Sequence, residues 1–340
     1  MAFTQTTATN LQDVITQIIA YGVANSGFIS LGSVTLPANN YSLGGGETMY
    51  GVQIGSVYHY FIAVQNNTLV LTKNYIIAFT SDTPVSLYPK TTTTPTRINS
   101  TPDKDSCFSA WNFPGPYASL YMFATPACVH AVVELSAGVF NHISLGIITK
   151  TDTIIGGEYL VMGAYQYYTS YFDSALQLTV YNLADATSYS NHLPWVGSGL
   201  DGSMSTAVQT GLIKNYMRYV QPNTAYGDRR DFAPFGSVEY GQKAAGCTYG
   251  YIIDSLLRDS PNTATQRSVM FPQYIMLLDA PSGTYNMAGY IPNCRIVSMR
   301  GLSPKDIIYN DWQVFPVTTK NPTTIYASGS GNIGLAYRRI

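Results

Sequence analysis

The residues best placed for chemistry lie in a predicted β-hairpin near the middle of the chain. Residues 129–135 and 139–146 are β-branched and apolar runs, and the turn 136–138 ends in glycine, which accepts the left-handed conformation that a three-residue loop needs. Pairing Leu135 with Val139 fixes which side chains share a face. One face then carries Ala131, Val133, Leu135, Val139, Ile143 and Leu145, and the other carries His130, Val132, Glu134, Phe140, His142 and Ser144.

Two imidazoles and a carboxylate on one face are candidate ligands for a divalent metal ion. The predicted register makes His130 and His142 diagonal neighbours about 7 Å apart, on the same side as Glu134. Spacing alone reveals no third strong ligand, and no HExxH motif supports a metal site. The alternative that we favour is that these side chains form hydrogen bonds within a second layer or a subunit contact, so we predict no cofactor.

Signatures of covalent or acid–base catalysis are also missing from the sequence. It contains no GxSxG or SxxK motif and no recognisable Cys/His signature. Paired carboxylates of glycosidase type can come from distant loops, but the available acids are explained more simply as turn residues or partners of Arg229 and Arg230. These acids are Asp201, Asp228, Asp231 and Glu239. We therefore predict that the protein is not an enzyme.

The composition indicates a protein that packs against other polypeptides. Only 11% of the 340 residues are charged, against about a quarter in average proteins, whereas 28 are tyrosine. With 18 basic and 19 acidic residues the net charge is −1, so the exposed surface has no field to attract nucleic acid. No signal peptide, membrane span or cysteine framework is evident, which favours a cytosol-like compartment and excludes membrane insertion.

The N-terminal region contains the one well-patterned long helix. Asn10 is placed to cap it, and its apolar stripe must dock either on its own body or on a neighbouring subunit. The stripe consists of Leu11, Val14, Ile15, Ile18, Ile19 and Val23. The Thr-rich segment before it is typical of a flexible arm. We expect residues 1–27 to dock in trans, with Leu11, Ile15 and Ile18 at the interface.

The rest of the chain has the period of two that is typical of strands. We predict a mainly β fold of antiparallel, sandwich-like domains, with one N-terminal amphipathic helix and a few short helices, among them 207–219 and 249–258. The predicted units are the arm and helix 1–27, a small β domain 28–88, a Pro/Thr linker 89–105 and a main β-sandwich-like domain 106–340 with a loop-rich insertion 194–267.

Aromatic side chains supply further interface candidates, because each ring offers wide contact area at small entropic cost. Clustered rings can stack on sugars or anchor a protein contact. The alternation around Tyr165 and Tyr167 indicates a strand that is covered on both faces. The candidates are Tyr165, Tyr167, Tyr171, Trp195 and Trp312.

The hairpin and its continuation resemble a segment of the virion structural proteins of tailed bacteriophages. The matching stretches are HAVVE at 130–134, GVFNHISLG at 138–146 and GGEY at 156–159. Ile143 and Leu145 stand where aromatic residues are commoner in that family. The matched His130, His142 and Glu158 carry over as structural positions only.

A second resemblance to the same proteins lies at the end of the chain, in YNDWQVFP at 309–316 and GLAYRR at 334–339. It implies a non-enzymatic structural component of the neck, tail or baseplate, assembled in the host cytoplasm into the virion. Its partners would be copies of itself, in a ring or collar, and other virion proteins. The alternative is a receptor- or carbohydrate-binding virion protein, such as a tail fibre, spike or head decoration.

Overall fold

A computed structural model describes residues 2–35, 47–55, 57–64, 75–81, 107–112, 115–150, 158–163, 171–173, 178–181, 270–279, 284–299, 301–316 and 333–339. Within these ranges the chain is mainly β with one N-terminal helix, as the sequence predicts, and its strands form three sheets. The predicted linker 89–105 and the insertion 194–267 with its short helices lie outside the described residues.

The elements in chain order are β1 (Ala2–Thr6), α1 (Leu11–Asn25), β2 (Ile29–Thr35), β3 (Thr48–Ile54), β4 (Val57–Val64), β5 (Tyr75–Ser81), β6 (Cys107–Asn112), β7 (Ser119–Thr125), β8 (Cys128–Ser136), β9 (Val139–Ile147), β10 (Thr149–Lys150), β11 (Glu158–Gly163), β12 (Tyr171–Asp173), β13 (Leu178–Tyr181), β14 (Met270–Asp279), β15 (Thr284–Ser298), β16 (Ile307–Ile308), β17 (Trp312–Pro316) and β18 (Ile333–Arg338).

Three sheets are formed from these strands. The first sheet has the order β1-β7-β8-β9-β11, and the second has the order β12-β13-β6-β5-β4-β3-β2. The third sheet has the order β10-β15-β18-β17-β16, with β14 also paired to β15. Every pair is antiparallel except β13 with β6, which is parallel. Strand β6 follows the predicted linker yet pairs with β5 of the predicted small domain, so strands from both sides of that linker share one sheet.

Helix α1 begins where the sequence predicts. Asn10 caps it, because its side-chain oxygen accepts a hydrogen bond from the Asp13 backbone N–H at 2.8 Å. Asp13 in turn accepts the Thr9 backbone N–H at 2.9 Å, which completes a reciprocal capping arrangement. At the other end the Ser26 N–H closes the last turn on the Gly22 carbonyl. The helix therefore has its end groups satisfied locally.

The predicted stripe of α1 is buried inside its own chain. Leu11, Ile15 and Ile18 join the apolar core beneath the first and second sheets, whereas Val23 is 42% exposed. The expectation of a flexible arm that docks in trans is wrong for these residues. Strand β1 pairs with β7, and the stripe packs on β7, β8 and β4 of the same chain.

The first sheet is covered on both faces. One face packs on α1 and on the second sheet through Val52, Ile54 and Phe61. The other face packs on the third sheet, where Phe315 and Tyr337 meet side chains of the first sheet. Within the described ranges no helix is long and apolar enough to cross a membrane.

Candidate functional site

The β8–β9 hairpin has the predicted register along nearly all of its length. Glu134 pairs with Phe140, and the ladder continues unshifted to the pair of Val129 with Leu145. At the tip a bulge makes Ser136, rather than Leu135, the partner of Val139. The predicted core face is confirmed, since its residues lie in or against the core around α1: Ala131, Val133, Leu135, Val139, Ile143 and Leu145.

The opposite face of the hairpin meets the third sheet in a buried polar layer. We call this layer the histidine seam and define it as His130, His142, Ser144, Tyr159 and Tyr337, all of which are buried. The first four side chains come from the first sheet and Tyr337 comes from β18. The favoured alternative of hydrogen bonding within a second layer is confirmed, and that layer belongs to the same chain.

His130 spans the seam. Its Nε2 lies 2.7 Å from the Pro292 carbonyl oxygen, which can only accept, so Nε2 donates. Its Nδ1 lies 2.6 Å from the Ser144 hydroxyl and, in the neutral ring, accepts from it. The Ser144 and Tyr159 hydroxyls are themselves hydrogen-bonded at 3.2 Å. The geometry therefore specifies one neutral tautomer of His130.

His142 repeats this arrangement on the neighbouring strand. Its Nε2 donates to the Pro316 carbonyl at 3.0 Å, and its Nδ1 accepts from the Tyr337 hydroxyl at 2.9 Å. The Tyr337 ring lies beside both imidazoles, with centroid distances of 5.0 Å to His130 and 5.9 Å to His142. It also stacks on Phe123 at 5.4 Å. One tyrosine thus joins the two histidines to the aromatic packing of the seam.

Burial keeps the seam histidines uncharged. It lowers the pKa of His130 and of His142 from 6.5 to about 4, although the carbonyls of Pro292 and Pro316 oppose the shift by hydrogen bonding. Burial likewise raises the pKa of the Cys128 thiol, which lies 3.4 Å from His130 Nε2, to about 11. Near pH 7 the seam is therefore a neutral network without an activated nucleophile.

Glu134, the third candidate metal ligand, has different partners. Its carboxylate accepts hydrogen bonds from the Lys305 ammonium at 3.1 Å and from the Tyr121 hydroxyl at 3.1 Å. The four ring nitrogens of His130 and His142 are all directed at carbonyl or hydroxyl oxygens, an arrangement that neutral imidazoles satisfy without an ion. In the described part of the chain no three His, Cys, Asp or Glu side chains are placed to share a metal ion.

Lys305 contacts Glu134 of the hairpin, a partner that the sequence does not reveal. It precedes β16, adopts a positive φ of 76°, and has a side chain that is 41% exposed. The Glu134 carboxylate raises the pKa of the ammonium through their hydrogen bond. Because 171 residues separate the two side chains along the chain, no local spacing signals their contact.

His59 is a third buried histidine, and motif analysis misses it. It lies on β4 facing the same core as Phe61, and neither ring nitrogen has a hydrogen-bond partner among the described residues. Burial lowers its pKa from 6.5 to about 4, while the negative charge of Glu158 opposes the shift. The alternation of Val57, His59 and Phe61 signals this position, because it places the imidazole on an apolar face.

The aromatic interface candidates fall in different situations. Trp312 is partly buried at the start of β17, and the Arg295 guanidinium lies 5.2 Å from its ring centroid. Tyr171 begins β12, and its side chain is not described. Outside the described residues lie Tyr165, Tyr167, Trp195, Asp201, Asp228, Asp231 and Glu239.

Comparison with known proteins gives no further identification. No model of a known protein family matches the chain, and no curated protein matches it.

Proposed function

We propose that this protein is a non-enzymatic structural component of a tailed-phage particle, which forms homo-oligomeric ring or collar contacts in the neck, tail or baseplate. One observation carries the proposal. The two segments that resemble phage virion proteins, 130–159 and 309–339, pack directly on each other although they lie far apart in sequence. His142 of the first segment is hydrogen-bonded to Tyr337 and Pro316 of the second.

The chemistry of the contact between these segments favours cohesion over turnover. The imidazole nitrogens are engaged with backbone carbonyls and hydroxyls, and burial holds both rings neutral. Phe315 adds aromatic contacts to Phe123 at 6.1 Å and to Phe140 at 5.4 Å. Such a network holds two sheets in one arrangement, which is what a particle component requires.

The outer strand of the second sheet supports the assembly part of the proposal. Strand β2 is mostly exposed, with Ile29 at 56%, and no described strand pairs with its outer edge. Its sequence, ISLGSVT, contains no charge and no proline, the residues with which monomeric proteins usually protect an edge. A bulge between Ser30 and Gly32 is its one protective feature. Neutral edges of this kind suit contacts between subunits.

Imaging the purified full chain tests the proposal. Negative-stain micrographs should show closed rings or collars, and an antibody against the chain should label purified virions at one fixed position. The variant Ser33→Lys places a charge on β2 and should lower the fraction of assembled particles. Ser136→Lys, at the exposed tip of the β8–β9 hairpin, is the matched control and should assemble normally. A monodisperse monomer with no virion labelling would contradict the proposal.

A further inference from the structure

The histidine seam joins two layers of the fold through groups that change charge in mild acid. All three histidines in the described ranges are buried, and two of them, His130 and His142, lie between the first and third sheets. We propose that the seam is an acid-operated latch: protonation of His130 and His142 separates the third sheet from the first while the core around α1 stays folded. This inference does not depend on the proposed function.

Protonation disrupts part of the hydrogen bonding of the seam. Each Nε2 already donates to a carbonyl, so the added proton must enter at Nδ1. At His142 this Nδ1 accepts a hydrogen bond from the Tyr337 hydroxyl, and at His130 it accepts one from the Ser144 hydroxyl. A protonated Nδ1 cannot accept, so each hydroxyl must turn away and find another acceptor inside a buried layer. Of the three hydrogen bonds that the two histidines make between the sheets, acid therefore breaks the one from Tyr337 to His142 and leaves the two bonds from Nε2 to the carbonyls of Pro292 and Pro316 in place.

The seam offers little compensation for two positive charges. The titratable or charged side chains that face it from the first sheet are Tyr121, Cys128, Glu134 and Tyr159. Those from the third sheet and its loops are Cys294, Lys305 and Tyr337, and Arg339 covers the Phe3 ring beside Phe123. Glu134 is the single carboxylate among these described groups. It lies four residues along β8 from His130, about 13 Å away, and is already paired with Lys305.

The two histidines also oppose each other once charged. As diagonal neighbours they lie about 7 Å apart, and the apolar surroundings that include Phe123 and Phe315 screen their repulsion poorly. By contrast, among the described residues the core around α1 contains one buried histidine, His59. Acid therefore weakens the contact between the first and third sheets before it weakens the contact between the first sheet and α1.

The proton linkage defines a pH window. Both seam histidines have an ordinary pKa of 6.5 when the seam is open and a pKa of about 4 when it is closed. Opening is independent of pH above about 6.5 and takes up two protons between about 6.5 and 4. Within this window the open fraction rises by up to about 100-fold per pH unit, and it stops rising below about 4.

Labelling of the two buried cysteines beside the histidine seam tests the latch. Cys128 and Cys294 are reduced and buried. A pyridyl disulfide, which reacts with thiols even in acid, is applied to the full chain between pH 7.5 and 4, and peptide mass spectrometry gives the labelling rate of each cysteine relative to the urea-unfolded chain. We expect the relative rate to rise by up to about 100-fold per pH unit while the backbone circular dichroism is unchanged.

Variants assign the effect to the seam. Gln at either position keeps a donor that can reach the carbonyl but cannot be protonated, so H130Q/H142Q should label at a rate independent of pH. In the single variant H142Q the relative labelling rate should rise by up to about tenfold per pH unit. This variant serves as the test if the double variant fails to fold. The control His59→Gln should label as the wild-type protein does. An identical pH dependence in wild-type protein and H142Q would overturn the latch, as would loss of circular dichroism at the pH where labelling begins.

Discussion

The two faces of the first sheet are packed through different kinds of interaction. Strands β8 and β9 send alternate residues to each face. One set, which includes Ala131, Val133 and Ile143, packs mainly through apolar side chains against α1 and the second sheet. The other set, which includes His130 and His142, meets the third sheet through hydrogen bonds and aromatic rings. The apolar contact includes one described histidine, His59, whereas the polar contact specifies one arrangement and depends on the protonation of two histidines.

Acidification should have the largest effect and should separate the two faces. The unfolded histidine binds a proton at pKa 6.5 and the folded one at about 4, so stability is unchanged above 6.5, falls between 6.5 and 4, and is constant below 4. Each of the three buried histidines then removes about 3 kcal/mol across the window. Urea unfolding at a series of pH values measures the loss, and H130Q/H142Q should remove about two-thirds of the histidine part. An unchanged profile in that variant would contradict the comparison.

Truncation in the apolar face should come next in size. Leu11→Ala leaves a cavity under the first and second sheets and should lower the free energy of unfolding by about 2–5 kcal/mol, equally at pH 7 and pH 5. Val23→Ala, on the exposed side of the same helix, is the control and should change stability by less than about 0.5 kcal/mol. Equal effects in the two variants would mean that the stripe is not in the core, and docking in trans would again be tenable.

These two predictions rest on features that the sequence reveals to different degrees. The helix stripe and the β8–β9 register follow from local periodicity, because burial of one face fixes which residues must share it. The partners of the polar face do not follow, since His130 meets Pro292 across 162 residues and His142 meets Tyr337 across 195. Nor does β1, whose residues Ala2–Thr6 have no apolar alternation strong enough to distinguish a strand from an arm. Long-range pairing is decided by packing rather than by spacing.

Removing one hydroxyl from the seam should have an intermediate effect. Tyr337→Phe keeps the stacking on Phe123 but leaves His142 Nδ1 without its donor, so we expect a loss of about 1–3 kcal/mol in thermal or urea unfolding at pH 7. Tyr309→Phe is the matched control, because Tyr309 is 48% exposed and should be within about 0.5 kcal/mol of wild type. If Tyr337→Phe has the same free energy of unfolding as the wild-type protein, the hydrogen bond between Tyr337 and His142 contributes nothing to cohesion.

The ion pair at the end of the seam should contribute least. Lys305 is 41% exposed, so solvent screens its attraction to Glu134, and a double-mutant cycle with Lys305→Met and Glu134→Gln should give a coupling of about 0.5–1 kcal/mol. The coupling should shrink as salt is raised, unlike the effect of Leu11→Ala. A coupling of zero at low salt would show that this ion pair does not stabilise the protein.

Because both faces of the first sheet are covered within one chain, the contacts that we propose between copies would involve other surfaces, such as the edge strand β2. The most direct measurement of that claim is the mass of the purified full chain in solution by native mass spectrometry, across a range of concentrations. The proposed role as a ring- or collar-forming component predicts a defined multiple of the 37.1 kDa chain, with Ser33→Lys shifted towards the single chain. A mass of one chain at every concentration would contradict it.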